Sequence, residues 1–90
     1  MPAAEFVVTG VVQGVGFRWF ARREARALAL TGWVKNRADG SVQAFAQGDE
    51  PALARFEQAL RQGPPSAQVE RVVRIPVPNN ENHQSFEVTG

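Results

Sequence analysis

Residues Val8 to Arg18 read VTGVVQGVGFR, a run in which β-branched residues give way to two glycines, an aromatic ring and an arginine. Upstream, EFVVTGVVQ from Glu5 to Gln13 is valine-rich with apolar groups on both alternating faces, which suits a central strand covered on at least one side. Downstream, Phe17, Phe20, Ala21, Ala25 and Leu28 recur at spacings of three and four. Arg18, Arg22, Arg23, Glu24 and Arg26 fall mostly elsewhere on the helical wheel, so an amphipathic helix is expected from about residue 17 to 30.

The rest of the chain continues the alternation. Gly32 interrupts the helical pattern, and WVKNRADGSVQAFAQG reads as two strands joined through Ala38-Asp39-Gly40-Ser41, where Asp-Gly suits a tight hairpin. Asp49 is placed as an N-cap with Pro51 in the first turn, and Leu53, Phe56, Ala59 and Leu60 form a second apolar stripe ending before Gly63-Pro64-Pro65. QVERVVRIPV, residues 68 to 77, carries Pro76, which cannot donate to a ladder and so predicts an edge strand. The polar stretch 78–84 reads as a loop, and SFEVT adds a possible short fifth strand.

The order β-α-β-β-α-β, with a right-handed crossover between parallel first and second strands, predicts an α+β ferredoxin-like sandwich. Its antiparallel sheet would have strand order 4-1-3-2, with both helices on one face. Ninety residues support one domain, residues 1–90. In this topology QGVGFR and Asn36 lie at the same end of the sheet, separated only by the third strand.

Composition narrows the chemistry. The chain has no cysteine, which removes disulfides, a thiolate nucleophile and cysteine-ligated metals. One histidine and nine acidic residues, scattered along the chain, leave little for an all-protein metal site, and no cofactor is expected. A net charge of +1 with dispersed basic residues predicts weak bulk attraction to nucleic acid or membrane. The N-terminus lacks a basic signal region and no apolar run approaches the roughly 20 residues of a membrane span, so a soluble cytoplasmic protein is expected.

An anion site would therefore be local. Gly14 and Gly16 permit backbone conformations closed to other residues, and the amides of Gly14, Val15, Gly16, Phe17 and Arg18 can form a nest at the positive end of the following helix. Arg18 adds a planar fork of donors that matches two phosphate oxygens. Read alone, the same glycines also make an ordinary tight turn with Arg18 on the surface.

VTGVVQGVGFRWF together with GWVKNRADGSVQAFAQG resembles the two signatures of the acylphosphatase family, at that family's spacing and over nearly the whole chain. The resemblance implies metal-independent hydrolysis of a small acyl phosphate to a carboxylate and inorganic phosphate, which would also act as a competitive inhibitor. It implies Arg18 as the phosphate-binding arginine and Asn36 as the residue positioning the attacking water. Such chemistry fits the sparse inventory, because phosphoryl transfer to water with a carboxylate leaving group demands mainly positioning and charge stabilisation. The C-terminus departs from the family pattern: many members close with arginine or tyrosine, whereas FEVTG ends in Gly90.

Other residues are assigned plainer roles. Arg22 shares the helical face of Arg18 and could steer anions, Lys35 points away from Asn36 by strand alternation, and His83 is expected in solvent. Trp19 and Trp33 read as packing residues. Two further functional readings stand beside hydrolysis. One is an RNA-binding module, since RNA-recognition domains share this element order, although SVQAFAQG lacks their spaced aromatics. The other is a regulatory module of the kind found at the N-terminus of larger hydrogenase-maturation proteins. A monomer is expected, with pairing through the open sheet face as the alternative.

Overall fold

The computed structural model describes residues 2–78 and 83–90. In chain order the elements are β1 (Ala3–Val11), α1 (Phe17–Ala27), β2 (Thr31–Asn36), β3 (Val42–Gln47), α2 (Glu50–Gln62), β4 (Gln68–Pro76) and β5 (Phe86–Val88). The sheet order is β4-β1-β3-β2-β5, so the ferredoxin-like arrangement expected from the sequence is present. The first four strands pair antiparallel. β5 adds to the outer edge of β2 in parallel, Gly32 opposite Phe86, which makes the complete sheet mixed rather than purely antiparallel.

The core lies between the helices and the even-numbered positions of β1 to β3. Phe6, Val8, Val34, Val42 and Ala44 meet Phe17, Ala21 and Ala25 of α1 and Leu53, Phe56 and Leu60 of α2. Phe56 is central: its ring stands edge-on to Phe6 at 5.4 Å and to Phe86 at 5.7 Å between centroids. Each fully buried phenylalanine contributes about 1.5–3 kcal/mol through area removed from water. Phe86 therefore fastens the short β5 although only three residues pair.

Several boundaries differ from the expectation, each for a local reason. β1 ends at Val11, so Gln13 lies beyond the strand and its side chain is free to reach across the turn. α1 ends at Ala27 because Ala29 turns left-handed at φ 58°. The Leu30 amide then closes on the Ala25 carbonyl at 2.9 Å, a Schellman-type stop made without the usual glycine. Gly32 does not end the pattern but sits inside β2. A Cβ there would stand 1.9 Å from the Phe45 carbonyl oxygen, so glycine lets the strands approach.

The β2–β3 turn spans Arg37 to Ser41, closed by Arg37 N donating to Ser41 O at 2.8 Å. Asp39 accepts from both the amide and the hydroxyl of Ser41, at 2.9 and 2.6 Å. Asp49 caps α2 as expected, accepting from the Ala52 amide at 3.1 Å. β4 forms the other edge and ends at Pro76, and its Arg74 reaches the Glu50 carboxylate of α2 at 2.7 Å. Of the loop expected over 78–84, residues 79–82 lie outside the described residues. His83 is half-buried, its ring 5.5 Å from that of Phe45, rather than freely solvated.

Candidate active site

The turn between β1 and α1 is built to leave backbone donors unused. Gly14 and Gly16 have φ of 74° and 78°, the left-handed region in which a side chain costs about 1–2 kcal/mol. Gly16 is the N-cap of α1 and supplies no side-chain cap, and the first turn contains no acidic residue. The first intrahelical bond runs from Phe20 N to Gly16 O. The amides of Phe17, Arg18 and Trp19 thus sit at the positive end of the helix with no capping side chain. In α2, by contrast, Asp49 takes the equivalent place.

Three long-range contacts hold this turn. The Gln13 side-chain amide donates to the carbonyls of Arg37 and Ser41, at 2.8 and 2.9 Å, tying the turn to the β2–β3 hairpin. The Ser66 hydroxyl donates to the Val15 carbonyl at 2.9 Å from the α2–β4 connection. Phe17 is buried to 1% exposure in the core, which fixes the start of α1. Backbone donors held on three sides need little reorganisation to receive an anion.

The turn, the first residues of α1 and the end of β2 enclose a cleft of about 240 Å³ lined by Val12, Gly14, Gly16, Phe17, Arg18, Trp19 and Asn36. Of the sequence-expected residues, Gly14, Gly16, Phe17, Arg18 and Asn36 meet at this one cleft. Val15 does not line it; its side chain packs against the core. Arg18 donates from Nη1 to the Gly90 oxygen at 2.9 Å, so the C-terminal segment reaches the site even without an arginine or tyrosine.

Asn36 carries a feature that spacing does not reveal. Its Oδ1 is buried and, among the described residues, has no hydrogen-bond partner. A buried acceptor without a donor costs about 1–3 kcal/mol. Lys35 does point to the opposite face, its ammonium 5.2 Å from the Trp33 ring centroid.

The two tryptophans part company. Trp33 packs as expected, stacked on Phe45 at 6.0 Å. Trp19 is 61% exposed at the rim of the cleft, with the Arg22 guanidinium 5.7 Å above its ring, so Arg22 is engaged with an aromatic face rather than simply solvated. Sequence reasoning passed over Gln13 as a latch, Ser66 and the exposure of Trp19, and it named Gly90 only as a departure from the family pattern. Among the described residues no group of three histidine, aspartate or glutamate side chains is placed to hold a metal ion. No helix among them is long and apolar enough to cross a membrane.

Comparison with known proteins shows the family. A family model described as Acylphosphatase matches residues 4–88. The chain is 50% identical over 88 residues to an acylphosphatase of Archaeoglobus fulgidus, covering 98% of each chain. It is 54% identical over 65 residues to one of Actinobacillus succinogenes, covering 72% of each. The crystal structure of acylphosphatase from Bacillus subtilis superposes with a TM-score of 0.96 at 40% identity, covering 100% of both chains.

Proposed function

This chain belongs to the acylphosphatase family and hydrolyses small acyl phosphates to a carboxylate and inorganic phosphate; we propose that Arg18 and the turn at residues 14–18 hold the phosphate while Asn36 orients the attacking water. One observation carries the assignment: Asn36, whose buried Oδ1 has no hydrogen-bond partner among the described residues, lines the same cleft as Arg18 and the uncapped first turn of α1. Donors for phosphate oxygens and a residue with an unsatisfied acceptor thus border one space.

In the proposed reaction the phosphate oxygens lie against the amides of Gly14 through Arg18 and the guanidinium of Arg18. The nitrogen held by Gly90 fixes the plane of that fork. Water, donating one proton to Asn36 Oδ1, places its oxygen in line with the bond from phosphorus to the acyl oxygen. As the new P–O bond forms, the old one breaks with its electron pair going to the carboxylate. The second water proton passes to a phosphate oxygen. The guanidinium, amides and helix end meet the charge on the equatorial oxygens, where preorganised donors act most strongly.

The protein is read as a single-domain monomer, because loop, arginine and asparagine all come from one chain and complete the cleft. Nucleic acid is not taken as a partner: on the open sheet face Phe45 is only 1% exposed beneath Trp33, which leaves no pair of free rings for stacking bases.

The test is an assay in EDTA with benzoyl phosphate and carbamoyl phosphate, with inorganic phosphate added as inhibitor. Turnover with competitive inhibition by phosphate supports the reading. No turnover by folded protein, or inhibition that is not competitive, contradicts it.

A further inference from the structure

The proposed phosphate site leaves part of the cleft unassigned. A space of about 240 Å³ is more than a phosphoryl group and one attacking water fill, at roughly 30 Å³ per water. The remaining volume has room for the start of the acyl group on its way out of the cleft. Among the cleft's apolar residues, Val12 and Phe17 are each 1% exposed and spent on the core, whereas Trp19 is 61% exposed. The indole is thus the one large apolar surface the cleft can offer a ligand.

Trp19 adds little to the core. The buried positions of α1 are Phe17, Ala21 and Ala25, and an indole left in water contributes little to the core. Its setting limits its motion instead. It stands in the first turn directly after Arg18, and the Arg22 guanidinium one turn on lies over one face of the ring, 5.7 Å from the centroid. A cation over one face of an aromatic ring holds it through the ring quadrupole, while the residue as a whole stays 61% exposed.

Resting on the phosphate site argued above, we propose that Trp19 is the acyl-group platform and selects acyl phosphates whose carboxylic part is planar and apolar, aromatic ones above all. With phosphate in the cradle the acyl group leaves the cleft across the indole. A ring there gains offset stacking. A methyl or amino group covers too little of the indole to gain comparably.

The experiment compares benzoyl phosphate with acetyl phosphate in wild-type protein, Trp19→Ala and Trp19→Phe, with the inhibition constant of inorganic phosphate measured in each. For Trp19→Ala the expected result is a rise of about tenfold in KM for benzoyl phosphate. The change for acetyl phosphate and for phosphate inhibition should stay within about twofold, which also shows that the cradle is folded. Trp19→Phe should keep most of the preference. Equal losses on both substrates, or none on either, overturn the platform while leaving the phosphate site standing. A wild-type protein that hydrolyses neither compound removes the site and the platform together.

Discussion

The side-chain amide of Gln13 donates to the main-chain carbonyl of Arg37 across 2.8 Å. This single side chain connects the turn that presents phosphate donors to the residue that follows Asn36. It also bonds the Ser41 carbonyl at 2.9 Å, so one residue fixes the spacing between the two halves of the cleft.

Gln13→Ala removes both bonds and should lower stability by about 1–2 kcal/mol, read as a shift in urea midpoint without a change of slope. Catalysis should fall further, by about tenfold or more in kcat, because small misplacements of positioning groups are amplified in rate. Gln13→Glu should be worse than alanine, since a carboxylate would face two carbonyl acceptors. A variant that loses stability but keeps full turnover would reduce Gln13 to a structural role.

Ala29 is the one non-glycine residue with positive φ among those described, and it ends α1 where glycine is the usual choice. Ala29→Gly should therefore stabilise the fold by about 1 kcal/mol, the relief of a left-handed alanine offset in part by a looser unfolded chain. The check is thermal or urea unfolding, with turnover unchanged because Ala29 is remote from the cleft. A destabilised variant would show that the strain is already relaxed.

Acid should weaken the hairpin beside Asn36. The Ser41 hydroxyl and amide hold the Asp39 carboxyl below its usual range, so its folded pKa is depressed. Its contribution is then complete above the ordinary carboxylate value near pH 4 and is lost as pH falls through the lower folded value. The same sign applies to Glu50, held down by Arg74, and to Glu87, held down by the Ser85 hydroxyl and by Arg26. Asp39→Asn should flatten the acid limb of a stability–pH curve below about pH 4 relative to wild type, leaving the other two contributions. Parallel curves would remove Asp39 from that limb.

What could be read from the chain was whatever is local. Glycines at 14 and 16, an arginine two residues later and the change from strand to helix period sit within one short stretch, and the hairpin places Asn36 at the same end of the sheet. The contacts that complete the site span 24, 51 and 72 residues, from Gln13 to Arg37, Val15 to Ser66 and Arg18 to Gly90. No periodicity announces them. Gly32 misled because close approach of two strands and the end of a helix both call for glycine. Trp19 looked like packing because residue type alone does not tell a buried indole from one at a rim.

The most direct test of the account is the kcat of Asn36→Ala on benzoyl phosphate, set beside its inhibition constant for inorganic phosphate. If Asn36 orients the water and takes no part in holding phosphate, kcat falls by about 10²-fold or more, as on removal of one preorganised polar group. The inhibition constant then stays within about twofold of wild type. An unchanged kcat, or a loss of phosphate affinity as large as the loss of rate, contradicts the role assigned to Asn36.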